Sequence, residues 1–210
     1  MYIEFKNITK KFGKTEVLRD VNFSLEKGDI AGFQGRNGSG KTVLFKLLTG
    51  LLKPSGGEIL IDNSPLGNDF LQNCGMIIET PGFIPHYSGY KNLKILDSVS
   101  PVQSGKEEIK RLMDMFELKS GNLAVSKYSL GMRQKLGIIQ ALLGNPEILI
   151  LDEPINSLDT KTSEFVIRKL IEINAERQTT ILIASHIGED LAKICTRRFS
   201  LSDNTLIENG

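Results

Sequence analysis

The sequence predicts an α/β fold built around a phosphate-binding loop, and three observations predict it. Gly35-Arg36-Asn37-Gly38-Ser39-Gly40-Lys41-Thr42 satisfies G-x-x-x-x-G-K-[ST] at every fixed position, a match that chance supplies only about once in a hundred chains of this size. Ile148-Leu149-Ile150-Leu151 and Thr180-Ile181-Leu182-Ile183-Ala184 are continuous apolar runs, as expected of strands buried on both faces. Between them a pattern through Phe165, Val166, Lys169, Leu170 and Ile173 has helical spacing. Strand, crossover helix, strand is the unit of an α/β core.

The elements follow in order. Met1-Tyr2-Ile3-Glu4-Phe5-Lys6 alternates in polarity like an edge strand, covering Tyr2–Asn7, and Val21-Asn22-Phe23-Ser24-Leu25 reads as a second strand. Asp29-Ile30-Ala31-Gly32-Phe33-Gln34 enters the glycine loop as a strand, and Val43, Leu44, Leu47, Leu48 and Leu51 keep helical spacing behind it. Pro54-Ser55-Gly56-Gly57 is a turn before a strand at Glu58–Asp62. From about Pro81 to Asn145 the character changes. Ile109, Leu112, Met113 and Phe116 mark an amphipathic helix, and further helical pattern follows Ser129. The chain therefore reads as one domain, a core of about residues 1–80 and 146–210 carrying a helical insertion of about residues 81–145.

Composition narrows the classes. In 210 residues, 26 basic side chains balance 25 acidic ones, which gives no support for a broad nucleic-acid or membrane-surface patch. A hydrophobic share of 40% is enough for a packed core. Cys74 and Cys195 form no C-x-x-C pair and read as ordinary thiols of a reducing compartment. The sequence shows neither a signal peptide nor an apolar run of membrane-spanning length. The expected location is cytosolic, or on the cytosolic face of a membrane through a partner.

The glycine loop implies a nucleoside triphosphate. Backbone N–H groups of Gly35 to Gly40, together with the positive end of the following helix, can cradle phosphates. Lys41 would neutralise the β/γ-phosphate charge and the Thr42 hydroxyl would hold Mg²⁺. Asp152-Glu153 closes an apolar strand, at the sheet edge where α/β ligands bind. Asp152 can serve the Mg²⁺ shell and Glu153 can take a proton from the attacking water. Without the loop upstream, the same residues would pass for a turn. Ser185-His186 ends the next strand, from which His186 could reach the γ-phosphate. Ser129 is a plausible N-cap and Gly131 leaves backbone open in Tyr128-Ser129-Leu130-Gly131-Met132-Arg133-Gln134. That segment is either a capped core helix or a second phosphate-binding end, and physics alone does not choose.

In order, Gly35–Thr42, Tyr128–Gln134, Leu149-Ile150-Leu151-Asp152-Glu153-Pro154, Ser157-Leu158-Asp159 and Ser185-His186 resemble the nucleotide-binding subunit of an ABC transporter over essentially the whole chain. The resemblance implies a P-loop NTPase with a RecA-like core, a small antiparallel β portion near the N-terminus and an α-helical subdomain. It implies ATP and Mg²⁺ as cofactors, integral-membrane transporter subunits as partners, and a head-to-tail dimer in which one subunit's phosphate loop faces the other's signature segment. Phe12 would stack on adenine, and Asp159, in Ser157-Leu158-Asp159, would couple the two sites.

Three departures stand out. Leu130 and Met132 replace a glycine and a glutamine of the usual signature, while Ser129 and Gly131 remain. Val43 stands where a hydroxyl side chain often touches the α-phosphate. Glu79 stands where a glutamine normally contacts Mg²⁺ and water. Glu79 followed by Thr80-Pro81-Gly82-Phe83 is similar to the ATPase subunits of bacitracin- and lantibiotic-type immunity exporters. Rival readings are a soluble ABC-type ATPase of DNA repair or ribosome function, and a non-hydrolysing regulatory subunit. The single motif set, the absence of heptads and the lack of basic bias weigh against the first. Glu153 and His186 weigh against the second. Glu79→Gln should retain ATP binding but alter the Mg²⁺ dependence of hydrolysis, and identical Mg²⁺ titrations of the two proteins would refute this.

Overall fold

The computed structural model describes residues 1–118, 122–156, 158–186 and 192–209. A four-stranded antiparallel sheet has the order β2-β1-β4-β5, from β1 (Ile3–Phe12), β2 (Thr15–Leu25), β4 (Gly56–Ile61) and the short β5 (Ser64–Pro65). β1 is thus an interior strand, paired with β2 on one side and β4 on the other, and not the edge that its alternation suggested. The alternation instead reflects one buried face. Ile3, Phe5 and Ile8 point inward, and the shift in phase from odd to even positions falls at a break in register after Phe5.

The second sheet has six strands in the order β10-β9-β3-β8-β7-β6. They are β3 (Ile30–Gln34), β6 (Cys74–Ile77), β7 (Ile148–Asp152), β8 (Thr180–Ser185), β9 (Arg197–Ser202) and β10 (Thr205–Asn209). All neighbouring pairs are parallel except the β9–β10 hairpin. Parallel strands need crossovers: α1 (Lys41–Leu48) follows β3, α2 (Gly89–Val99), α3 (Gly105–Met115) and α4 (Leu130–Leu142) lie between β6 and β7, and α5 (Thr160–Arg177) joins β7 to β8. α1 is shorter than its apolar pattern implied. It ends at Leu48, Gly50 adopts φ 79°, and Leu51 lies outside the helix and half exposed.

The continuous apolar strands are explained by cover on both faces. Ile148 and Ile150 of β7 join a core with Phe33, Phe45, Leu47 and the inward residues of β1 and β2. Leu149 and Leu151 point the other way, into a core shared with Ile139, Leu142, Val166 and Leu170 of α4 and α5. That second core runs on without a break through Leu93, Ile109, Leu112 and Phe116, so the helices of the insertion are packed onto the sheet rather than hung from it. Gly75 of β6 makes this possible. A Cβ there would lie 1.6 Å from the Ala141 carbonyl oxygen of α4.

Three helices begin at side-chain caps: Ser88 accepts from Lys91 N, Ser129 from Met132 N and Asp159 from Thr162 N. Of the aromatics in the insertion, Phe83 and Tyr90 pack against the core, while Tyr87 meets His86 and carries Lys91 Nζ over its ring. Burial pushes the Cys74 thiol up to about 11 and Cys195 up to about 12, which leaves both thiols protonated and inert. Among the described residues no helix is long and apolar enough to cross a membrane.

Because backbone, not a flexible side chain, opposes any Cβ at residue 75, Gly75→Ala should cost about 3 kcal/mol or more of stability. Chemical denaturation of the purified variant measures it, and a loss under about 1 kcal/mol would mean that α4 can simply step back.

Candidate functional site

Four parallel strands deliver their carboxyl ends to one edge. β3 runs into the glycine loop, β8 ends at Ser185 before His186, β7 ends at Asp152 before Glu153, and β6 leads towards Glu79. The pairing of Asp152 with Ala184, and the bond from Glu153 N to Ala184 O (3.0 Å), hold the β7 and β8 ends level. Glu153 leaves its strand at φ 52° and Glu79 is held at φ 66°, so both carboxylates stand on sharp turns.

The loop is shaped for an anion. Gly40, at φ 108°, caps α1 without a side chain and turns the first helical N–H groups towards the loop. Lys41 is buried and donates from Nζ to the carbonyls of Gly35 (2.7 Å) and Arg36 (3.2 Å). Ser39 Oγ is buried with no hydrogen-bond partner, a cost that a phosphate oxygen would remove. Asn37, Gly38, Gly40, Lys41, Thr42 and Val43 line one wall of a cavity of about 750 Å³. Its other walls include Val17, Glu79, Asp152, Glu153 and, from α4 of the same chain, Leu130 and Arg133. A second, open depression of about 800 Å³ on the far side of the loop is lined by Gly35, Arg36, Ser39 and His186.

At the junction of loop and strands lie two short chains of contact. Thr42 Oγ1 donates to Asp152 Oδ2 at 2.6 Å. Glu153 stands between Lys41, whose Nζ is 3.4 Å from Oε1, and His186, whose Nδ1 is 3.0 Å from Oε2. The Lys41 contact is electrostatic only, and Glu153 Oε1 is a buried acceptor without a hydrogen bond. Asp152 is raised above the ordinary carboxylate range, first by burial and then by the neighbouring charges of Glu153 and Glu79, against the pull of Thr42 and Lys41. Thr42 and Asp152 offer one hydroxyl and one carboxylate. This sparse hard-oxygen set is the kind Mg²⁺ accepts when substrate phosphates and water complete its shell. The residues present therefore fit that ion.

The other residues picked out from sequence lie further from this junction. Phe12 ends β1 at 47% exposure, with Lys10 Nζ over its ring at 4.9 Å, and it lines neither cavity. Ser129 caps α4, Met132 packs against the core and Leu130 stands exposed at the cavity mouth. Gly131 faces Leu158 and Thr162, so the start of α4 sits beside the start of α5. Asp159 caps α5 and is lowered by the Thr162 backbone N–H it accepts from. Ser157 lies outside the described residues. Sequence reasoning missed Lys46, one turn along α1 from Thr42, whose Nζ donates to Glu79 Oε1 at 2.6 Å. Its position at i+4 was visible, but the pairing depends on where β6 ends.

This sheet, loop and strand-end carboxylate set define a nucleotide-hydrolysing cassette. The sequence model of the ABC transporter family matches residues 18–156. Relatives include the ABC transporter ATP-binding protein YybJ of Bacillus subtilis, 40% identical over 92% of this chain and 89% of that protein. The bacitracin transport ATP-binding protein BcrA of Enterococcus faecalis is 36% identical over 98% of this chain and 68% of its own length. The lantibiotic transport ATP-binding protein SrtF of Streptococcus pyogenes is 35% identical, over 88% and 80%. Among solved structures, the dimeric ATP-binding cassette MJ0796 in a post-hydrolysis state with ADP and Pi superposes with a TM-score of 0.85 at 27% identity, covering 99% of this chain and 97% of that one. The chain belongs to the ABC transporter family, as an ATP-binding and ATP-hydrolysing subunit.

Ionised Asp152 is a liability in the nucleotide-free fold. Its raised pKa means that the folded state binds this proton more tightly than the unfolded chain does. The penalty on the ionised form is therefore full above the raised value and fades as pH falls from that value towards the ordinary 3.8. Asp152→Asn should raise the melting temperature of the nucleotide-free protein at neutral pH, with the gain shrinking on acidification. A variant that melts lower than wild type at neutral pH would show that the Thr42 contact outweighs the charge.

Proposed function

We propose that this chain is the motor of an exporter for a peptide-type antibiotic or similar compound. Two copies close around two ATP molecules and drive separate membrane-spanning subunits from the inner face of the cell membrane. The observation that carries the reading is Glu153. Its Oε1 is a buried acceptor without a hydrogen bond, 3.4 Å from Lys41 Nζ beside the phosphate loop, and its Oε2 is tied to His186. A carboxylate so placed can take the proton of a water aligned on the γ-phosphate, with His186 fixing its orientation. Lys41 now serves the Gly35 and Arg36 carbonyls and would transfer its donors to the β/γ-phosphate oxygens. Thr42 and Asp152 would hold Mg²⁺, which when bound neutralises charge shared between β- and γ-phosphates.

Ser129, Leu130, Gly131 and Met132 would present the N-terminus of α4 to ATP held by the second copy, since a helix start with one capped donor still has N–H groups to offer an anion. Asp159, beside that helix at the start of α5, would sense the partner's site. Phe12, exposed on a hairpin tip with Lys10 Nζ over its ring, would stack on a base. The segment of about residues 81–145 would act as the helical subdomain that carries closure to the membrane partner, with Tyr87 near the contact. Relatedness to BcrA and SrtF supports the substrate class.

Glu153→Gln should bind ATP, form a dimer on size-exclusion chromatography with ATP but not ADP, and lose at least about 100-fold in hydrolysis. A variant that binds ATP yet stays monomeric would remove the α4 N-terminus from the site. Retained hydrolysis would remove Glu153 as the base.

A further inference from the structure

Glu79 brings a negative charge to a wall of the phosphate cavity, which already holds Asp152 and Glu153. Its field reaches the junction, since it is one of the charges that raise Asp152. Nucleotide phosphates would meet three carboxylates there, while Lys41 is already divided between the loop carbonyls and Glu153, and Arg133 on the α4 wall donates to the Tyr128 carbonyl. Lys46 changes this balance. Its ammonium, 30% exposed, closes to 2.6 Å of Glu79 Oε1. Lys46 and Thr42 are on adjoining turns of one α1 face, so the same helix that presents the hydroxyl to the phosphate end also anchors Glu79. An ion pair this exposed adds little to stability. What it controls is where a carboxylate sits and how much of its charge the cavity feels. Glu79 also opens the link to the insertion, where Pro81 packs against Gly137 of α4, so its position is coupled to that link.

We propose that Lys46 is a positioning residue for Glu79: the pair holds the carboxylate back and screens its charge from the phosphates, leaving it to face a divalent ion when one arrives with the nucleotide. This rests on the nucleotide-site reading above. Without Lys46, the bare carboxylate repels nucleotide wherever no cation offsets it and attracts the cation more strongly. Nucleotide binding then becomes more dependent on Mg²⁺.

The test measures the affinity of the purified chain for a fluorescent ATP analogue in EDTA and in saturating Mg²⁺, before any turnover. Lys46→Gln should weaken binding in EDTA by about three- to tenfold, with little change in Mg²⁺. Lys46→Arg should behave as wild type. The double variant Lys46→Gln/Glu79→Gln should show the same ratio of the two affinities as Glu79→Gln alone. A Lys46→Gln ratio equal to wild type, or an effect of equal size with and without Glu79, would overturn the proposal and leave Lys46 a surface residue of α1. A wild-type chain that binds the analogue in neither condition would instead overturn the nucleotide-site reading, and this inference with it.

Discussion

Parallel pairing is the constraint on which the rest of this protein depends. Strands that run the same way must finish at the same edge, and each must be followed by a crossover before the next can begin. Here β3, β8, β7 and β6 lie side by side, with Asp152 level with Ala184 and Gln34 level with Ser185. The turns that follow are forced into one crevice, and polar side chains on those turns become neighbours across gaps of 33 and 110 residues. The apolar content of the strands is what makes that edge rigid. β7 and β8 are buried along their whole length, so the turns at their ends are carried by a part of the molecule that cannot shift without opening two cores.

The site spends some of the stability that this packing provides. Lys41 is buried, Ser39 Oγ and Glu153 Oε1 lack hydrogen-bond partners, and the charge of Asp152 is opposed by burial and by two like charges. Each would be unfavourable in an ordinary core. Together they form a cavity with unmet demand for phosphate oxygens, a cation and a water. Such strain gathered in one place is what a preorganised polar site looks like before its ligand binds. The Lys46–Glu79 pair belongs to the same economy, one turn further along α1.

Local capping and proposed long-range roles coincide in two places. Ser129 and Asp159 each satisfy a helix start within their own chain, which is sufficient reason for their presence. Gly131 packs beside Leu158 and Thr162, so those two helix starts are fixed relative to each other. A rigid pair of helix N-termini on one face is suited to meeting a second subunit, yet the cap itself requires no partner.

The elements with strong local signals were legible in the chain. The glycine loop followed by a helix was one, and the short runs at Ile148 and Thr180 matched the pattern of doubly covered strands. The helical spacing from Phe165 and the cap at Ser129 were equally plain. The β9–β10 hairpin was missed despite a usable signal, since Asp203 and Asn204 both adopt positive φ as a tight primed turn requires. β1 was misjudged as an edge because alternation records one buried face and says nothing about how many neighbours a strand has. The sequence by itself thus determined which residues could carry phosphate, cation and proton chemistry, because those depend on residue type and short spacing. Only the tertiary structure decided that Glu153 lies between Lys41 and His186, that Thr42 donates to Asp152 and that Lys46 holds Glu79. Those meetings are set by strand order and by the points at which separate strands end, which no local pattern encodes.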